Sequence, residues 1–317
     1  MENVGSTKIT IEGQRLIDRA NKSSSLKVGD IEIRFEPEDL DEEYVKKARE
    51  ELGETEEVVV QALAEIRRLV EGEPDLKVPD DDDFYKKFLR TSKWHATPAF
   101  NLMKRFYQYR INRERVCKNL VPSNERAILS SGIITPLPLR CKDGTRLLLV
   151  EGGKRWKPKE ITLEQIFRGV MLSLEAASTE PKTQVAGARV IIDMDGLTLS
   201  HVTYYTPSFA NMVLEWVQKC LPTRLKGIHI INQPYIFNMV FAIFKPFIQE
   251  KLRKRIHFHG TDRKSLLSYI DGFALPKRYG GELDFLNEPI GEPLWRFFCN
   301  FEEEFQIAST YGYVKKT

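Results

Sequence analysis

Apolar positions recur at helical spacing in the first third of the chain and give way to short β-branched runs after Pro122. Over 38–71, Val58, Val59, Ala62, Leu63, Ile66 and Leu69 line one face among Glu and Lys, the spacing of an amphipathic helix. Gly72 and Pro74 end it. The run Pro79–Asp83 is a loop whose last Asp is placed to cap a helix over Phe84–Arg90. A further helix over Thr97–Arg113 carries Phe100, Met103, Phe106 and Tyr107 on one face. A small helical bundle follows, with the aromatic stripe as its core and the acid run as a solvated cap. Before Glu36 the chain is polar, with one extended piece around Ile31–Phe35.

Beyond Pro122, Arg146–Glu151, Ala188–Met194, Gly227–Ile231 and Arg255–His259 read as strands, and Leu163–Ala177 and Pro207–Lys219 as helices. This alternation predicts an α/β domain with a mostly parallel sheet covered on its faces.

One segment stands apart. Tyr235–Ile248 is apolar nearly all round, is opened by Pro234, and has Arg224 and Lys226 before it and Lys251, Arg253, Lys254 and Arg255 after it. It is too short to span a bilayer. Such a helix is either wholly buried or lies in a membrane interface between flanking cations. The pattern alone leaves both open.

Composition adds limits. The 317 residues carry a formal net charge of +3, an average over an acid-rich stretch, Glu36–Asp83, and a base-rich one, Arg224–Arg278. The local basic surface does not point to nucleic acid. Cys117, Cys141, Cys220 and Cys299 are far apart without a CxxC, the pattern of reduced thiols rather than a disulfide framework or zinc site. No signal peptide and no membrane-spanning run is present in the sequence, which predicts a soluble, cytoplasmic protein.

Leu221–Gly260, LPTRLKGIHIINQPYIFNMVFAIFKPFIQEKLRKRIHFHG, strongly resembles the CRAL-TRIO lipid-binding family. Within it the likeness is to the alpha-tocopherol transfer protein, cellular retinaldehyde-binding protein and clavesin group. Phe88-Leu-Arg90, the helix over Ala99–Arg110, Asp193-Met-Asp-Gly196 and Leu275-Pro-Lys-Arg-Tyr-Gly-Gly281 follow in the family's order, and the likeness spans about 45–285. The resemblance implies a polar segment over 1–35, a helical module over 36–121, a lipid-binding α/β domain over 122–285 and a C-terminal extension over 286–317. It implies an apolar pocket closed by a mobile lid helix, here Tyr235–Ile248. The pocket positions are Phe167, Val170, Met171, Leu174, Ile192, Met194, Phe209, Val213, Trp216, Phe237, Val240, Phe241 and Phe244. It further implies a phosphoinositide cleft formed by Arg224, Lys226, Lys251 and Arg255, with Lys251 and Arg255 on one helix face and no carboxylate near the four. Arg278 departs from the family's usual Glu, so an ion pair built there is lost or reversed. Val170 and Leu174 stand where the tocopherol carrier has serines.

No GxSxG, HExxH, Walker loop or GxGxxG is present, so no enzyme is predicted. His257 and His259 share a strand face without a third ligand nearby in sequence, which favours packing over a metal site. The expectation is a monomeric carrier that takes one small hydrophobic lipid (a retinoid, tocopherol or other isoprenoid), needs no cofactor, and works peripherally at phosphoinositide-containing endosomal or other anionic membranes. The alternative is a membrane-docking or trafficking adaptor without ligand transfer.

Overall fold

The computed structural model describes residues 16, 18–20, 22, 25–28, 31–284 and 289–314. Most of the polar segment 1–35 lies outside the described residues. Its extended piece forms an antiparallel pair, β1 (Leu26–Val28) with β2 (Ile31–Ile33).

The helix expected over 38–71 is two helices, α1 (Glu42–Leu52) and α2 (Glu56–Glu71). Gly53 takes φ +71°, and its N–H and that of Glu54 cap the carbonyls of Arg49 and Ala48. A side chain at Gly53 would strain this left-handed turn. Thr55 then starts α2 by accepting the Val58 N–H. After β3 (Leu76–Lys77), α3 (Asp82–Thr91) is capped by Asp81, not Asp83: the Asp81 carboxylate accepts the Phe84 N–H at 2.9 Å. Asp80 and Asp82 are instead turned to Arg67. With α4 (Ala96–Asn112) these helices enclose Ile66, Phe88, Leu89, Met103 and Phe106.

The α/β domain holds a five-stranded sheet in the order β4 (Ile134–Pro136), β5 (Arg146–Glu151), β6 (Ala188–Asp193), β7 (Leu225–Ile231) and β8 (Ile256–Gly260). β4 is antiparallel; the rest are parallel, with Val150, Ile192 and Ile230 in register. β5 is buried along its whole length, which is why it reads as a continuous apolar run. β4 escapes a sequence reading because three residues ending in Pro136 show no period. Between β5 and β6 run α5 (Leu163–Ser178), started by a Thr162–Gln165 capping box, and α6 (Pro181–Ala186). α7 (Pro207–Glu215) precedes β7 and finishes in a π turn over Trp216–Cys220. α8 (Phe237–Phe244) and α9 (Glu250–Arg253) connect β7 to β8.

The helical module is keyed to this domain. Arg90 pairs with Glu54 at 2.7 Å and donates to Gln184 at 2.8 Å, and Arg110 meets Glu175 at 3.0 Å. All are largely buried, so removing one partner leaves an uncompensated charge. The C-terminal extension forms α10 (Glu292–Cys299), α11 (Glu302–Ser309) and β9 (Gly312–Tyr313), the last pairing with β3.

Candidate functional site

The apolar segment forms a shorter helix than the sequence implies. Pro234 accepts the Phe237 N–H and starts α8; Pro246 then breaks it into a 3-10 turn over Lys245–Phe247. Phe237 and Val240 point inward and are buried, whereas Phe241 and Phe244 pack on the core yet keep part of their surface accessible. The outer side is also apolar in part: Tyr235 is 91% and Met239 49% exposed.

Beneath α8 the aromatic rings form a connected wall. The Trp216 ring lies 5.6 Å from Phe167, and Phe167 lies 6.4 Å from Phe209. Phe209 is 6.4 Å from Phe244 and 6.3 Å from Tyr205, which in turn is 6.1 Å from Phe244. Val170 on α5, Ile192 on β6 and Val213 on α7 pack against the main core that includes Phe167 and Trp216, and are likewise only partly buried. Met171 is sealed in the main core, and Met194 packs with Phe237 and Val240. Leu174 lies on the wall of another cavity, about 300 Å³, between the helical module, the end of α5 and the C-terminal helices. Tyr205 was not among the positions named from sequence, because a tyrosine in the polar run after β6 carries no periodic signal.

The four cations are not arranged as expected. Glu51 of α1 reaches Arg224 at 2.8 Å and Lys226 at 3.0 Å, so a carboxylate does stand among them. Burial works to raise the Glu51 carboxyl, but hydrogen bonds from Lys226, Lys47 and Arg224 hold it at about 2. Lys251 and Arg255 do not share a helix face: α9 stops at Arg253, and Arg255 closes a turn onto Leu252 before β8. Arg255 has no carboxylate partner among the described residues. Burial, and then the charge of Arg224, push its guanidinium down. Lys251 is exposed.

Two other predicted groups gain partners the sequence did not show. His229 on β7 stands opposite His257 on β8. Their rings stack at 5.1 Å, and His229 Nδ1 lies 3.0 Å from His259 Nε2. Burial first, and then His259 and His257, push His229 down to about 3. His259 is also bound to Ser265 at 2.7 Å. Among the described residues no group of three His, Cys, Asp or Glu is arranged to hold a metal. At the far ends of the strands, Arg278 pairs with Glu151 at 3.0 Å, an ion pair with Arg in the position where Glu was expected. Asp193 accepts from Tyr279 and Asn232, each at 2.8 Å, so its role is to join strand ends.

Residues 131–281 match the CRAL/TRIO domain family. Over 249 residues the chain is 35% identical to "Alpha-tocopherol transfer protein-like" of Homo sapiens, covering 77% of this chain and 72% of the relative. It is 33% identical over 247 residues to clavesin-2 of Rattus norvegicus, covering 77% and 75%. A solved structure of Sfh5 is similar at a TM-score of 0.48 and 16% identity, over 66% of this chain and 78% of that one. Among the described residues no helix is long and apolar enough to cross a membrane.

Proposed function

The chain belongs to the CRAL/TRIO domain family and is a lipid-binding protein, and from that premise we propose that it carries one small isoprenoid-like lipid in the cytoplasm and releases it at anionic membranes. The aromatic wall of Phe167, Phe209, Trp216 and Phe244, with Val170, Ile192, Val213 and Phe241 beside it, is the proposed cargo site. α8 is the proposed lid. The observation that carries the reading is the two-sided apolar character of α8. Its inner side adjoins the wall, and Tyr235 and Met239 face outward.

Burying roughly 400 Å² of apolar lipid stabilises the complex by about 10 kcal/mol, comparable to what a bilayer offers. Release therefore needs a bias at the membrane. Basic residues near an anionic leaflet contribute about 1 kcal/mol each. Arg224, Lys226, Lys251 and Arg255 are proposed to supply that bias by taking a phosphoinositide head group. The half-buried Arg255, which has no carboxylate partner among the described residues and feels the charge of Arg224, supports this assignment, since an anionic phosphate would relieve the repulsion. Glu51 must yield to it.

The test has two arms. A fluorescent retinoid or tocopherol offered in vesicles should be extracted by the wild type, and Val170→Asp should abolish extraction while the circular dichroism is unchanged. Vesicles with phosphoinositide should bind the protein better than phosphatidylcholine vesicles, less so as salt rises. The pair Lys251→Glu and Arg255→Glu should remove that preference and leave lipid extraction intact. Undiminished extraction by Val170→Asp overturns the cargo site. Equal binding to both vesicle types at low salt overturns the cleft.

A further inference from the structure

We infer that Tyr205 is a specificity residue: its hydroxyl receives the single oxygen function of the carried lipid, so the preferred cargo is a mono-oxygenated amphiphile and not a pure hydrocarbon. The inference rests on the carrier reading above and sharpens it by naming the chemistry of the cargo.

Tyr205 follows the short helix Leu199–Val202 and precedes α7. Its ring stands between Phe209 of α7 and Phe244 of α8, at 6.3 and 6.1 Å, and 5.7 Å from Trp156. It packs against both the main core and the cluster under α8. Among the described residues its hydroxyl has no hydrogen-bond partner.

The polar groups of Trp156 beside it, and its own backbone N–H, are already taken. Trp156 donates its indole N–H to the Ile161 carbonyl at 2.8 Å. The Trp156 carbonyl is met by His201 Nε2 at 2.9 Å, and the Tyr205 backbone N–H goes to Val202 at 3.1 Å. No charge offsets its environment either, since burial alone pushes its ionisation up. The hydroxyl is set among apolar rings and keeps no protein partner among the described residues, while the side chain keeps accessible surface, so a ligand's oxygen placed there gains a hydrogen bond that a hydrocarbon cannot make.

One other polar group of the wall is unpaired. The Trp216 indole Nε1 is buried without a partner, but that side chain is only 1% exposed. A ligand could reach it only after the wall rearranged. Tyr205 keeps accessible surface, and of the two it is the residue a cargo can meet as the fold stands.

The test compares two lipids that differ by one hydroxyl, phytol and the hydrocarbon phytene, both tritiated and presented in phosphatidylcholine vesicles. Extraction of each is measured for the wild type and for Tyr205→Phe. Taking the ratio of phytol to phytene for each protein cancels the lipids' different affinities for the bilayer. The wild-type ratio should exceed the Tyr205→Phe ratio by about fivefold to tenfold, the worth of one buried hydrogen bond. The circular dichroism and thermal melting of Tyr205→Phe should match the wild type, which reports that it is folded. Equal ratios in the two proteins overturn the inference while leaving the carrier reading in place. Loss of both lipids by Tyr205→Phe also overturns it, since the tyrosine is then structural. If the wild type extracts neither lipid, the carrier reading fails and this inference fails with it.

Discussion

Two helices of this chain are rich in aromatic and aliphatic residues, and their outer faces differ. In α4, Phe100, Met103, Phe106 and Tyr107 are all buried, while the outward positions include Thr97, Asn101, Arg105 and Gln108, with Ile111 near the end of the helix as a large apolar side chain among them. In α8, Phe237 and Val240 are equally buried, but the outward side offers Met239 and Ala242 beside Asn238, continued by Tyr235. A buried aromatic stripe is thus the common property of a core helix and says little about function. The informative face is the one turned outward, because apolar surface left there has to be explained.

The contrast can be broken most forcefully in α4. Phe106→Ala should destabilise the protein by about 3–5 kcal/mol in denaturant titrations, while lipid extraction per folded molecule stays at the wild-type level. In α8 the balance should reverse. Phe241→Ser with Phe244→Ser should cost less stability than Phe106→Ala, since both side chains are only half-buried, yet slow lipid transfer between vesicles more. A large stability loss with unchanged transfer would make α8 a second α4.

Acid should separate the two helices next. His229, His257 and His259 are all held below the ordinary histidine range, chiefly by burial. The folded state therefore favours the neutral rings. The stability they confer is present above the unfolded histidine value of about 6.5 and falls as pH drops below it, because the unfolded chain then binds more protons. Hydrogen exchange at pH 5 against pH 7 should show β7, β8 and the segment between them losing protection ahead of α4. Equal loss in both places would show that the stacked histidines do not govern this region. The smallest stability effect is expected from Met239→Ser, within about 0.5 kcal/mol, together with weaker vesicle binding. Ile111→Ser, at an exposed apolar position on α4, should change neither.

These differences show what a single sequence can reveal. The alternation of strands and helices, and the apolar run of β5, follow from periodicity, and the structure places them within a residue or two of the expected bounds. The break at Gly53 was hidden because the apolar period runs on through Thr55. Strand β4 was hidden by its shortness. At the site, residues belonging to one helix face were legible, whereas meetings between distant segments were not. Glu51 lies far from Arg224 in sequence, His229 is thirty positions from its partner His259, and Tyr205 stands in a turn. No local pattern encodes such a meeting; only the packing of the module and the pairing of β7 with β8 bring it about.

That pairing also determines how the segment 232–255 can move. It is a crossover from the C-terminal end of β7 to the N-terminal end of the adjacent parallel strand β8, and both of its ends are fixed on the sheet, with the Asn232 N–H bonded to Gly260 and the Ile228 N–H to Arg255. In polymer terms it is a loop with both ends fixed even when α8 is displaced. The loop-closure entropy has therefore been lost once, at folding, and is not lost again at each excursion. A detached α8 would explore only the small volume its tethers allow, and its return would be a local search on the timescale of loop contact, far faster than the encounter of a free helix with its groove.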